Sequence, residues 1–327
     1  MPEQSPSDSR LLEPAGNAYE LATLIDEDVA TRPPAGNDSG EADGFIKKKL
    51  GVGFWIAVVW FVTIALAAAF ASQLTKIGVL KDPLKLYTRP FGSPGVSSTA
   101  GGTHILGTDN LGRDVLSRLI YGAQVSLMVG FASIALGLMV GTTIGLLAGY
   151  LKGWVDNVLM TVMDIILAFP ALLLALAIIT FTDAHDVPHI SLAIGIVAVP
   201  AIARLVRANT LTFREREFVL ASRTLGASHA RIIVREILPN VVPPVMSFAV
   251  IGVAVAISAE SGLAFVGVSV PLPQPTWGGM IDQARGNLTD HPLTVFIPCI
   301  VLVLTIMAFY FIGDRLRQFF DVKEGVL

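Results

Sequence analysis

The 327-residue sequence is 53% hydrophobic and only 15% charged, with a mean hydropathy of +0.66, whereas a soluble domain carries about 25% charged residues. That balance excludes a soluble globular protein, and the absence of residue-by-residue alternation excludes a membrane β-barrel, which leaves an all-α membrane protein. The net charge of −3 points to no nucleic-acid partner, but its distribution is uneven. Residues 1–46 hold ten acidic and two basic side chains among many Ser, Pro and Gly. They lack the apolar content to build a core and read as a disordered acidic cytosolic tail, with one short helix near Tyr19 to Ile25. The tail does not read as a cleavable signal, because the first apolar run begins only at Leu50.

Lys47, Lys48 and Lys49 precede that run and hold its start in the cytosol, so residues 47–72 are expected to form the first transmembrane helix. Residues 73–120 follow as an extracytoplasmic segment, although Lys76, Lys81, Lys85, Arg89, Arg113 and Arg118 there run against the positive-inside preference. Further apolar stretches at 122–149, 157–181, 190–206, 241–268 and 293–313 are each long enough, at about 1.5 Å per residue, to approach or span a hydrocarbon core of about 30 Å. The sequence therefore predicts six transmembrane helices with both termini cytosolic. The membrane core covers 121–313, with a cytosolic loop at 207–240 and a cytosolic C-terminal tail at 314–327. Arg204, Arg207, Arg214, Arg216, Arg223, Arg231, Arg235, Arg315 and Arg317 all fall on the cytosolic side of this arrangement.

Within the second span, Gly137, Gly141, Gly145 and Gly149 recur every four residues and form one stripe that lets another backbone approach closely. Spacing alone leaves open whether the stripe packs inside the chain or against a partner subunit. Pro170 and Pro200 should kink their spans. Trp55, Trp60, Trp154 and Trp277 stand near span ends or loops, where interfacial anchoring explains them. Cys299 is the sole cysteine, so a disulfide within the chain is excluded.

The polar island from Arg214 to Asn240 is the feature a membrane protein would keep in the cytosol to touch something. It reads as two short helices bent at Gly226, with Ser228 capping the second and Pro239 ending it. Gly226 and Leu238-Pro239 hold the spacing of the cytoplasmic loop of binding-protein-dependent ABC importer permeases, which this segment resembles. That pattern reads Glu-Ala-Ala, three residues, Gly, nine residues, Ile, any residue, Leu-Pro. Here Leu220, Ala221 and Ser222 stand at the Glu-Ala-Ala positions and Glu236 at the Ile position.

Three other segments resemble the C-type subunit of dipeptide, oligopeptide and nickel permeases. They are Leu106 to Asp109 with Gly112-Arg113-Asp114 and Ser117-Arg118; Glu260, Leu263, Phe265, Gly267, Pro271, Pro275, Trp277 and Gly278; and Gly313 to Arg317 with Asp321, where Val322 replaces the usual Pro. Met163-Asp164 to Phe169-Pro170 belongs to the same pattern, and the likeness covers about residues 50–322. It implies a type I ABC importer permease fold in a bacterial inner membrane. It also implies Phe218, Leu220, Ala221, Leu225, Gly226, Ala227, Leu238 and Pro239 as the contact to a cytosolic ATPase. The implied partners are a homologous B-type permease, two ATP-binding subunits, an extracytoplasmic substrate-binding protein and the lipid bilayer. No Gly-rich phosphate loop occurs in the sequence, so ATP and Mg are expected on the partner ATPases, with no cofactor and no enzymatic activity in this chain. The implied cargo is a di- or oligopeptide; nickel, glutathione or another small solute fits the same architecture.

Asp164 and Glu260 are carboxylates in or near apolar spans, and burial there is costly enough to make each a candidate for a pathway or gate. Each also has a structural reading, as a hydrogen-bond partner for a neighbouring helix. A proton-coupled secondary carrier would use the same two groups, but the chain lacks two matched hydrophobic halves. Asp183, His185, Asp186 and His189 form a small outer-loop cluster; Pro188 argues against a shared helical face for the histidines, and the cluster reads as solvated loop with no metal.

Overall fold

The computed structural model describes residues 51–324 apart from 88–89, 96, 99–101, 185, 269 and 272. The acidic tail expected over 1–46 and the lysines at 47–49 lie outside the described residues. Among the described residues, five helices are long and apolar enough to cross a membrane. The first, α1 (Val52–Ala69), exposes Val52, Trp55, Ile56, Val59, Val62 and Leu66, as a helix bathed in lipid does. Its other side is held by Phe61, whose ring centroid lies 4.9 Å from that of Phe309, and by Trp60, whose indole N–H donates to Thr305 Oγ1 at 3.2 Å. A short helix α2 (Ala71–Lys76) and a minimal hairpin, β1 (Ser97–Ser98) with β2 (Gly102–Thr103), belong to the outer segment.

Helix α3 (Val115–Leu151) is the spine of the fold. It starts seven residues before the expected 122 because Asp114 caps it, accepting from the Ser117 amide. Its most extensive neighbour is α6 (Val187–Arg214), and the glycine stripe is the reason. A Cβ on Gly145 would lie 2.5 Å from the Ala203 carbonyl oxygen, one on Gly149 2.7 Å from Thr210 Cβ, and those on Gly137 and Gly141 3.0 Å from Ile202. The open question about the stripe is thus resolved: it packs inside the chain. Gly195 of α6 reciprocates, since its Cβ would meet Leu136 at 2.9 Å.

Between these two spans the expected third span is not one rod. It divides into α4 (Gly153–Leu167) and α5 (Ala171–Thr182), bent by 89°. Pro170 lacks an N–H and forces the residue before it away from helical geometry, so the chain breaks instead of kinking. Pro200, buried inside α6, leaves that helix unbroken.

The cytosolic island forms α7 (Glu217–Thr224) and a single turn α8 (His229–Arg231). The expected stop at Pro239 does not occur. From α8 the chain runs through a π-helical segment, Ile232–Ile237, directly into α9 (Leu238–Phe265). Pro239 stands in the first turn of α9, where a missing N–H is tolerated, and Pro243 and Pro244 lie inside the helix without breaking it. The wider π turn absorbs the change of register before it. Beyond α9 an outer loop carries α10 (Trp277–Ala284) and a 3-10 turn, Arg285–Asn287. The last helix, α11 (Pro292–Glu324), continues past the expected membrane exit at 313 without interruption.

If the seam between α3 and α6 depends on those glycines, Gly145→Val should cost about 1–3 kcal/mol through overpacking. The variant should show a lower unfolding temperature in detergent, while Gly53→Ala, whose Cβ meets nothing within 4 Å, should leave it unchanged. Equal unfolding temperatures for the two variants would contradict the seam.

Candidate functional site

At the end of the fold expected to face the cytosol, α7 presents an apolar surface with one anchored residue beneath it. Val219 is fully buried in a cluster with Leu146, Tyr150, Ile202, Val206, Ile232, Ile237 and Val241. Its neighbours Phe218 and Leu220 are 39% and 47% exposed, and Leu225 is 87% exposed. Ala221 and Pro239 are exposed, while Ala227 and Leu238 are half-buried and pack against the cluster. The bend at Gly226 is a two-bond helix stop: the Gly226 amide donates to the Arg223 carbonyl and the Ala227 amide to the Ser222 carbonyl, with Gly226 at φ +81°. This left-handed stop favours glycine. Ser228 then caps α8, accepting from the Arg231 amide.

Polar links tie this surface to the membrane helices. The Tyr150 hydroxyl and His229 Nδ1 lie 2.9 Å apart. Arg207 donates twice to Asp156, at 2.5 and 2.6 Å, Arg204 donates to Asp164 at 2.6 Å, and Lys152 pairs with Glu215 at 3.0 Å. These pairs stitch α4, from its N-cap to its last turn, to the arginine-rich end of α6. Asp164, expected about two turns in from the cytosolic end, is more than half exposed beside Arg204. Asp156 escaped the sequence reading because it stands at the head of its helix instead of within an apolar run. Its signal was positional: an acid in the first turn of α4 facing the arginine-rich end of α6.

The outer side is built around Asp109. Its Oδ1 accepts from the Leu111 and Arg113 amides at 2.9 Å, and its Oδ2 lies 2.7 Å from Arg113 Nε and 3.3 Å from Arg118 Nε. Arg113 also donates to Gln283 Oε1 of α10 at 2.8 Å. Gly107 makes the preceding turn possible, at φ +78° with the Gly92 carbonyl oxygen 2.4 Å from where a Cβ would stand. Asp114 pairs with His104 at 2.8 Å, and the Lys81 ammonium lies 3.3 Å from the same imidazole. Burial lowers the Lys81 pKa, an effect that Asp114 partly offsets. The outer cations that ran against the positive-inside rule include three, Lys81, Arg113 and Arg118, that are structural parts of this segment.

Glu260 is fully buried, accepting from Ser126 Oγ at 3.5 Å. Ser126 Oγ also accepts from the Trp277 amide at 3.2 Å, and the Trp277 indole donates to the Leu119 carbonyl at 3.0 Å. Trp277 is therefore a core residue and no interfacial anchor, because an indole satisfied inside the protein has no need of the headgroup region. In the other outer loop, Pro188 occupies the first turn of α6, so His189 is helical after all. Asp186 caps that helix and contacts the His189 ring; this hydrogen bonding lowers the Asp186 pKa. His185 lies outside the described residues, and no group of three metal-ligating side chains occurs among the described ones.

Among the described residues, five membrane-length apolar helices and one bent pair frame this surface. The chain belongs to the family of binding-protein-dependent transport system inner membrane components, whose model matches residues 141–324. It is similar to the glutathione transport system permease protein of Pectobacterium atrosepticum, with 38% identity over 220 residues, covering 67% of this chain and 73% of that one. It is also similar to the dipeptide transport system permease protein of Alkalihalophilus pseudofirmus, with 40% identity over 67% of this chain and 72% of the relative. Among solved structures, a chain of the MetNI methionine ABC transporter in an inward-facing conformation superposes with a TM-score of 0.54 at 20% identity, covering 62% of this chain and 96% of that one. The protein is thus the multi-pass permease component of an ABC importer, with the type I importer permease fold.

Removing the charge of Asp109 would leave Arg113 and Arg118, 4% and 1% exposed, without their carboxylate. Asp109→Asn should therefore destabilise the outer segment by about 3 kcal/mol. Trypsin cleavage after Lys81 and Lys85 should accelerate in the intact detergent-solubilised protein; an unchanged rate would show that Asp109 does not hold the segment together.

Proposed function

We propose that this permease forms, with a homologous B-type permease, the pathway for short peptides across a bacterial inner membrane, worked by two cytosolic ATPase subunits. The tripeptide glutathione falls within that cargo class, and the names of the glutathione and dipeptide relatives support it. An extracytoplasmic binding protein delivers the peptide to the outer mouth. ATP and Mg are held by the ATPases, whose closure pushes on residues 214–240 and rocks the helices from inward-open to outward-open; hydrolysis resets them.

The observation that carries this reading is the apolar triplet Phe218, Leu220 and Leu225, exposed on a cytosolic helix that is itself pinned by buried Val219. Exposed apolar side chains on a water-facing helix mark a docking surface. Asp164, exposed and bonded to Arg204 of α6, links α4 to α6 in this scheme and is its candidate pathway carboxylate. Buried Glu260 serves the outer gate by accepting from Ser126 and so tying α9 to α3.

Gly226→Asp puts a charge at the tip of this surface and a side chain on a left-handed residue, a strain of roughly 1–2 kcal/mol. Nothing lies within 4 Å of its Cβ position, so the variant should insert normally. The expected result is loss of ATPase co-purification and of ATP-driven uptake of dipeptide or glutathione into proteoliposomes that contain the binding protein. Retention of both at wild-type levels would overturn the docking role of residues 214–240.

A further inference from the structure

We infer that Tyr150 is the positioning residue through which movement of the cytosolic surface reaches the transmembrane helices, with its hydrogen bond to His229 as the working contact. The inference rests on the docking role proposed above for residues 214–240. Tyr150 stands in the last turn of α3, the helix that forms the glycine seam with α6, and is 2% exposed. Four parts of the chain meet at its ring. His229 of α8 bonds its hydroxyl at 2.9 Å and lies edge-on to it, with centroids 5.6 Å apart. The guanidinium of Arg214, at the end of α6, lies 5.7 Å from the ring centroid; that of Arg223, in the last turn of α7, lies 6.0 Å away. Below the ring, Val219 of α7 and Ile232 and Ile237 of the π segment share its apolar cluster.

Two features make this a joint instead of a glue point. Arg214 Nη1 is buried without a hydrogen-bond partner while its guanidinium carbon stands over the Tyr150 ring, a cation–ring contact that lacks the fixed fork of an ion pair. Two residues later the backbone turns sharply through Lys152 and Gly153, at φ +59° and +61°, into α4, which carries Asp156 and Asp164 to α6. A displacement of α7 and α8 therefore has a short mechanical route. It passes from His229 to Tyr150, from Tyr150 to the end of α3, and through the turn to the α4–α6 ion pairs.

Tyr150→Phe keeps the ring and its packing and removes only the hydroxyl. The assembled complex, with its ATPases and binding protein in proteoliposomes, should form normally. Its ratio of peptide transported to ATP hydrolysed should fall roughly two- to tenfold, the range expected for one hydrogen bond. His229→Leu should give the same loss, the double variant should be no worse than either single one, and His229→Gln, which restores a polar partner, should recover part of the ratio. A merely structural tyrosine predicts a different pattern, with lower unfolding temperature and an unchanged ratio, and that result would overturn the inference, as would additive losses in the double variant. If Gly226→Asp detaches the ATPases while Tyr150→Phe leaves the ratio unchanged, this inference alone fails; if Gly226→Asp leaves them attached, the docking role fails first.

Discussion

The constraint on which the rest of the structure depends is the close approach of α3 and α6. Helices in lipid gain little from burying apolar surface against one another, so association rests on dispersion and backbone proximity. Four glycines at four-residue spacing supply that proximity over about three turns, and bulkier residues there would overlap Ala203, Val206 and Thr210. Because the seam ends at Gly149, the residues just beyond it, Tyr150 to Gly153, are placed at the cytosolic boundary with little freedom. The seam thus fixes where α4 begins and where the cytosolic surface must attach.

Everything on the cytosolic side follows from that placement. Helix α4 lies along the arginine-rich end of α6, so Asp156 near its start and Asp164 near its end find Arg207 and Arg204 across a short gap. Pro170 then turns the chain by about a right angle, which frees α5 from continuing the line of α4. The opposite boundary is held by different means: a polar knot around Asp109 and a fully buried tryptophan tie the outer segment to α3 and α10. A glycine seam with polar fastenings at both ends suits the rocking unit of the proposed mechanism.

Much of this was legible in the sequence because it rests on local chemistry. The glycine spacing, the apolar span lengths and the arginine excess on one side are each visible without neighbours. So was the left-handed stop at Gly226, since few residues other than glycine tolerate it. What escaped was set by partners distant in sequence. Pro239 read as a terminator, yet the π turn before it lets α8 and α9 run together. Trp277 read as an interfacial anchor, yet the Leu119 carbonyl, 158 positions away, accepts its indole proton. Tyr150 carried no signal at all, because an aromatic at the end of an apolar helix is ordinary until His229, Arg214 and Arg223 converge on it.

The most direct test of the account is a cross-link from the tip of the cytosolic surface. With Cys299 replaced by serine and a cysteine placed at Leu225, the assembled importer can be treated with a short thiol-to-amine reagent in the nucleotide-free and ATP-trapped states. The account predicts a specific adduct between residue 225 and an ATPase subunit, with a yield that changes between the two states. An intact, transporting complex that gives no such adduct in either state would contradict it.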